Sequence, residues 1–173
     1  MYKIINTKLE GCMEIMPRIF NDFRGTSIKT MHKPSLEKLG IVHDFKEQLV
    51  VASKKGVIRG LHFQKPPFEQ AKLISCLKGS IIDVAVDLRP TSATYGQYHT
   101  FLLSDQIQNM AYIPTGFAHG YGVLEEDSIV SYLMSEVYNV ESEGGISWDS
   151  FDIDWQIEEP IISDKDKMLD KFL

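Results

Sequence analysis

His62, Lys72, His119 and Tyr132, together with the carboxylates of the acidic tail that begins at Asp149, are side chains that can move a proton next to a carbonyl group. A histidine held by a carboxylate works as a general base near neutral pH. A lysine beside it can hold the oxyanion that forms when the neighbouring carbon loses its proton, and a tyrosine can return a proton from the other side. Removal on one face and return on the other is epimerisation. Each residue taken alone also has a plain structural reading: a lone histidine satisfied by its neighbours, a strand aromatic at Tyr132, a solvated edge lysine at Lys72. Their company favours chemistry, because burying such a set for packing alone is costly.

These side chains need strands to carry them. Gly56-Val57-Ile58-Arg59-Gly60-Leu61-His62-Phe63-Gln64 is rich in β-favouring residues, and period-two alternation puts His62 and Gln64 on one face and Arg59, Leu61 and Phe63 on the other. Lys72 opens the next apolar run, to Leu77, and Lys78-Gly79 turns it into Ser80 to Leu88, so the region reads as a β-meander. Upstream, the pattern predicts strands within residues 1–10, 12–20 and 48–53, a turn at Asp22-Phe23-Arg24-Gly25, and a loop with a short helix between Lys33 and Phe45. Downstream, it predicts a loop from Arg89 to Gly96, strands at Tyr98–Leu103, Met110–Pro114, Gly116–Leu124 and Ser128–Met134, and a tight turn from Ser104 to Asn109. In the tail, Trp148 and Trp155 are packing anchors, and Ser163-Asp164-Lys165-Asp166 starts a capped helix able to return a carboxylate to the site. So many short strands indicate an all-β barrel or sandwich with short peripheral helices.

With 173 residues, 43% of them hydrophobic and 24% charged, the chain has the size and composition of one domain spanning 1–173. A net charge of −6 and the lack of a basic stripe argue against a nucleic-acid partner. Cys12 and Cys76 make no disulfide framework, and neither a signal peptide nor an 18-residue apolar run is seen. The expectation is a cytoplasmic protein with no membrane partner.

Gly56, His62 and Glu69 fit the first cupin motif, and Pro114-Thr115-Gly116-Phe117-Ala118-His119 fits the second, so the chain resembles the cupin family. Gln64 and Val123 stand at two positions where cupins usually place metal ligands. A catalytic metal needs about three nitrogen, sulfur or carboxylate donors, so the expectation is a cupin jelly-roll barrel without a metal. A metal-dependent oxygenase is disfavoured on the same ground.

A closer resemblance runs in order through Asp22-Phe23-Arg24-Gly25, the Gly56 to Gln64 string, Gln70-Ala71-Lys72-Leu73, Asp83 to Arg89, Ile113 to Gly120 and Ser163-Asp164-Lys165-Asp166. On these segments the chain resembles the dTDP-4-dehydrorhamnose 3,5-epimerase family from Phe20 to Asp166. The resemblance implies a homodimer acting without cofactor on a nucleotide-linked 4-keto-6-deoxy sugar, in deoxysugar biosynthesis for a surface polysaccharide. It makes His62 the base, Asp166 its orienting carboxylate, Lys72 the holder of the enolate oxygen and Tyr132 the opposite acid. Arg59 and His119 match residues associated with the sugar diphosphate, Arg24 and Tyr138 match nucleotide contacts, and Gln48 and Phe20 complete the implied binding set. Strand parity sets Arg59 opposite His62, so it must sit beside a bulge or reach a neighbouring subunit's pocket.

The chain also departs from that family. Ser27 and Lys29 replace a phenylalanine and a glutamate that helps recognise thymine, Leu49 and Val51 replace asparagine and serine, and Leu133 replaces a lysine. These departures lead us to expect a GDP-linked 4-keto sugar, of hexose or heptose length, in place of a dTDP-linked one. C3-only epimerisation, 3,4-ketoisomerisation and a non-catalytic cupin sugar-binding module remain open alternatives.

Overall fold

The computed structural model describes residues 2–172. Two sheets face each other. The first has the order β1 (Lys3–Asn6), β2 (Met13–Met16), β10 (Met110–Ile113), β7 (Lys72–Lys78), β12 (Ser128–Met134) and β5 (Glu47–Ser53). The second runs β13 (Glu143–Gly145), β6 (Val57–Gln64), β11 (Phe117–Val123), β8 (Ser80–Asp87) and β9 (Tyr98–Ser104), and β14 (Ile161–Ile162) joins β6 in parallel. A separate hairpin is made by β3 (Ile19–Asp22) and β4 (Gly25–Ile28), and the helices α1 (Lys33–Glu37) and α2 (Asp164–Lys167) are single turns at the periphery. This is the all-β architecture expected from the strand pattern, in the cupin-type jelly-roll form that the resemblance implied.

Alternation along β8 explains the layering. Ile81 and Ala85 point inward to a core shared with Ile74, Cys76 and Val130 of the first sheet. Ile82, Val84 and Val86 point outward, where Ile153 and Trp155 of the tail cover them. Both faces are therefore buried, which accounts for the nearly unbroken apolar run. Trp148 and Trp155 do act as packing anchors, with Trp155 Nε1 donating to the carbonyl of Trp148 at 3.3 Å. On the outer face of the first sheet, Leu36 of α1 packs with Ile15, Leu73 and Tyr112. Both cysteines are buried and free.

The meander expectation is wrong in one respect. β6 pairs with β11 and β13, β7 with β10 and β12, and β8 with β9 and β11, so the turns after β6 and β7 cross between sheets and close no hairpin. A Gly-containing turn marks where a strand ends, but only the competition among all strands for partners decides which sheet the next one joins. This crossing is what sets His62 and Lys72 on opposing walls.

Candidate active site

A cavity of about 170 Å³ opens between the sheets, and His62 and Arg59 of β6, His119 of β11, Lys72 of β7 and Tyr132 of β12 all line it, with Tyr138 at its edge. His62 Nε2 lies 2.7 Å from Asp166 Oδ1. Asp166 arrives there through local capping: Ser163 is the N-cap of α2, and its hydroxyl oxygen accepts the backbone N–H of Asp166 at 3.1 Å. The second carboxylate oxygen accepts the N–H of Gly60 at 3.2 Å. Burial raises the Asp166 pKa, but the hydrogen bond and charge of His62, the Gly60 N–H and the Ser163 hydroxyl outweigh it and hold the group below its ordinary value. An ionised carboxylate only accepts, so Nε2 of His62 carries the proton and Nδ1 is left as the basic atom.

Lys72 is buried, and among the described residues its ammonium makes only a 3.5 Å contact with the carbonyl of His62. Burial pushes its pKa down to about 8, against the opposing charge of Asp83. Across the cavity from His62, Tyr132 packs edge-on against His119 with ring centroids 5.7 Å apart. Its burial, reinforced by Tyr121 and Asp83, raises its pKa well above the ordinary phenol value, so it is a protonated acid. His119 Nε2 is 2.7 Å from Asp83 Oδ2, and burial lowers its pKa despite that carboxylate. The arrangement offers a base on one sheet and, on the facing sheet, an acid and a lysine with donors to spare.

Arg59 reaches the same cavity because β6 bulges. His62 pairs with His119 and Arg59 with Tyr121, so three steps on β6 match two on β11, and the parity that opposed Arg59 to His62 is broken. Gly60 and Gly120 permit it: a Cβ on Gly120 would sit 2.5 Å from the Arg59 carbonyl oxygen, and one on Gly60 2.6 Å from Gly120 Cα. The Arg59 side chain is braced by Nε donating to Ser53 Oγ at 3.1 Å.

A family model described as dTDP-4-dehydrorhamnose 3,5-epimerase matches residues 6–173. The chain belongs to the dTDP-4-dehydrorhamnose 3,5-epimerase family. A protein of that name from Methanothermobacter thermautotrophicus is 40% identical over 171 residues, covering 96% of this chain and 92% of its own. A crystal structure of the Bacillus anthracis enzyme with TDP and PPi bound is 39% identical, with a TM-score of 0.96 over 99% of this chain and 100% of that one. A Legionella pneumophila epimerase in complex with dTDP-4-keto-L-rhamnose is 36% identical, with a TM-score of 0.95 over 99% of this chain and 93% of that one. The chain is thus an epimerase of nucleotide-linked sugars by family. None of these comparisons lends support to a GDP carrier.

Within this epimerase fold, three residues of the expected binding set stay outside the cavity. Arg24 lies on the exposed β3–β4 hairpin, ion-paired at 2.6 Å to Asp22; Phe20 lies there too, under the Arg18 guanidinium at 4.6 Å from its ring centroid. Gln48, exposed on β5, donates to Ser131 Oγ at 3.1 Å. Tyr138 is at the mouth, its hydroxyl donating to Glu143 at 2.9 Å. Ser27 and Lys29 belong to the hairpin or the segment just after it and are likewise absent from the cavity lining. Gln64, at the ligand position, spends its amide on the chain: Nε2 donates to the carbonyls of Phe68 at 2.6 Å and Val137 at 3.2 Å, and Oε1 accepts from Asn139 N at 2.7 Å. Val123 is buried in the apolar core. The candidate set omitted Asp83 and Glu143. Asp83 had a signal, a lone acid inside Ile81-Ile82-Asp83-Val84-Ala85-Val86, since a carboxylate in a buried strand requires a partner. Glu143, before two glycines in an irregular stretch, had none.

Among the described residues, no helix is long and apolar enough to cross a membrane.

Proposed function

We propose that this chain epimerises a dTDP-linked 4-keto-6-deoxyhexose at C3 and C5. The observation that carries the reading is the confrontation of the His62–Asp166 pair on β6 and α2 with protonated Tyr132 on β12, across one cavity that also holds Lys72. The 4-keto group is the electron sink, so no cofactor is needed. Nδ1 of His62 takes the proton from the carbon beside the ketone, the Lys72 ammonium holds the enolate oxygen, and Tyr132 returns a proton from the opposite face. Arg59 and His119 line the route to the diphosphate, and Tyr138 at the mouth offers a ring for base stacking. Removal by one group and return by another inverts the carbon.

The dTDP carrier follows from the relatives, whose names and bound ligands carry it. Arg24, Phe20 and Gln48 lie off the cavity of their own chain, which supports a homodimer in which they serve a partner subunit's site. The test is incubation in D2O with dTDP- and GDP-linked 4-keto-6-deoxy sugars, with deuterium at C3 and C5 followed by NMR. Exchange at both carbons with the dTDP sugar, abolished in His62→Asn, is expected. Exchange at C3 alone would reduce the activity to a monoepimerase, faster turnover of the GDP sugar would reverse the carrier, and no exchange at all would leave a binding module.

A further inference from the structure

Asp83 sits in the middle of β8, wholly buried, and bonds through one oxygen only. Oδ2 meets His119 Nε2 at 2.7 Å, while Oδ1 has no hydrogen-bond partner among the described residues. A buried carboxylate is costly unless a cation offsets it. His119 does not serve, because its burial outweighs the pull of Asp83 and disfavours the imidazolium. Among the described residues Asp83 has no other ion pair.

On the facing sheet, Lys72 has the complementary deficit. It is 8% exposed, and among the described residues its ammonium finds only the long contact to the His62 carbonyl. Burial disfavours its charge, and Asp83 is the group that favours it. One cavity thus has a buried anion behind one wall and a buried cation on the other, beyond ion-pair distance. Direct contact would occupy the donors a substrate oxygen needs; separation keeps the charge and leaves the donors free.

We propose that Asp83 is a positioning residue for the epimerisation, its unbonded oxygen being the counter-charge that keeps Lys72 protonated so that the ammonium can receive the enolate oxygen. The role assigned to Lys72 rests on the function proposed above. The other titratable or charged groups around Lys72 are His62 and Arg59 from β6, His119 and Tyr121 from β11, Tyr132 from β12, and Tyr138 and Glu143 at the mouth. The three tyrosines are all shifted upward, and Glu143 is tied to Lys165 at 2.6 Å. The alkaline limb of activity is therefore assigned to Lys72.

The experiment compares kcat/KM against pH for the wild type, Asp83→Asn and His119→Asn. Loss of the anion makes Lys72 release its proton sooner, so the alkaline limb in Asp83→Asn moves down by roughly one pH unit while activity recovers towards lower pH. His119→Asn keeps the carboxylate and leaves the limb in place. An equal loss at every pH in Asp83→Asn, or the same shift in His119→Asn, overturns the assignment. A second measurement needs no turnover: thermal unfolding of Lys72→Met, Asp83→Asn and the double variant at pH 7. Coupled charges make the double variant lose less Tm than the two singles summed, and additive losses overturn the proposal. So does an Asp83→Asn chain that fails to fold and is not rescued by Lys72→Met. If the wild type proves inactive while the cycle shows coupling, the failure lies with the epimerase reading and not with the charge pair.

Discussion

At the scale of single residues, the proposed mechanism gives the two protons of each inversion separate owners, His62 and Tyr132, and that separation can be measured. His62 alone can remove a proton and give it back to the same face, which exchanges solvent hydrogen without changing configuration. Tyr132→Phe keeps the ring against His119 and removes only the acid, so exchange should persist while inversion falls, read as the ratio of deuterium uptake to product formation. A proportional fall in both would show that Tyr132 serves packing. Asp166→Asn makes the complementary change. The amide can donate to Nε2 and favour the wrong tautomer, and Gly60 N–H loses a charged acceptor. Exchange at both carbons should then drop by about 10²-fold or more, with KM little changed. Retained exchange would remove Asp166 from the mechanism.

At the scale of elements, β6 and α2 do the positioning, and they differ in how much their sequences disclose. The capped turn is local: Ser163, three residues before Asp166, is a signal that sequence reasoning can find, and it delivers the carboxylate to His62. The bulge in β6 is not local, because it depends on Gly60 meeting Gly120 across two strands. Strand parity by itself therefore misplaced Arg59 relative to His62, and turn chemistry by itself read a meander where the chain crosses between sheets. The strands themselves were legible because alternation and apolar runs are imposed by burial. Their partners were not, since pairing is a choice made by the whole sheet. Gly120→Ala tests the bulge. Its Cβ would meet the Arg59 carbonyl oxygen at 2.5 Å and Leu61 Cδ2 at 3.0 Å, and backbone cannot yield as a side chain does. The expected cost is roughly 1–3 kcal/mol of stability. With it comes a raised KM as Arg59 leaves the cavity, both visible by thermal unfolding and steady-state kinetics. A fully stable Gly120→Ala enzyme with normal KM would mean that the close approach is dispensable.

At the scale of the whole molecule, the proposed homodimer has exposed surfaces on this chain to account for. β5 is an edge strand with Leu49 at 48% and Val50 at 54% exposure, and Phe23 at the tip of the β3–β4 hairpin is 98% exposed. Exposed edges and aromatics of this kind invite pairing with another chain. Arg24 sits beside Phe23 on that hairpin, away from its own cavity. If hairpins cross between subunits, each site takes His62 from one chain and Arg24 from the other, and two defective enzymes can repair each other. Arg24→Ala and His62→Asn homodimers, assayed at low substrate, should both be nearly inactive. After subunit exchange, the mixed dimer has one site with both defects and one with neither. Random mixing makes half the dimers mixed, so about a quarter of the wild-type sites should return. If Arg24 serves its own chain, every site in the mixed dimer lacks one residue and mixing restores nothing. Recovered activity would therefore establish both the dimer and the crossing of its hairpins in one assay.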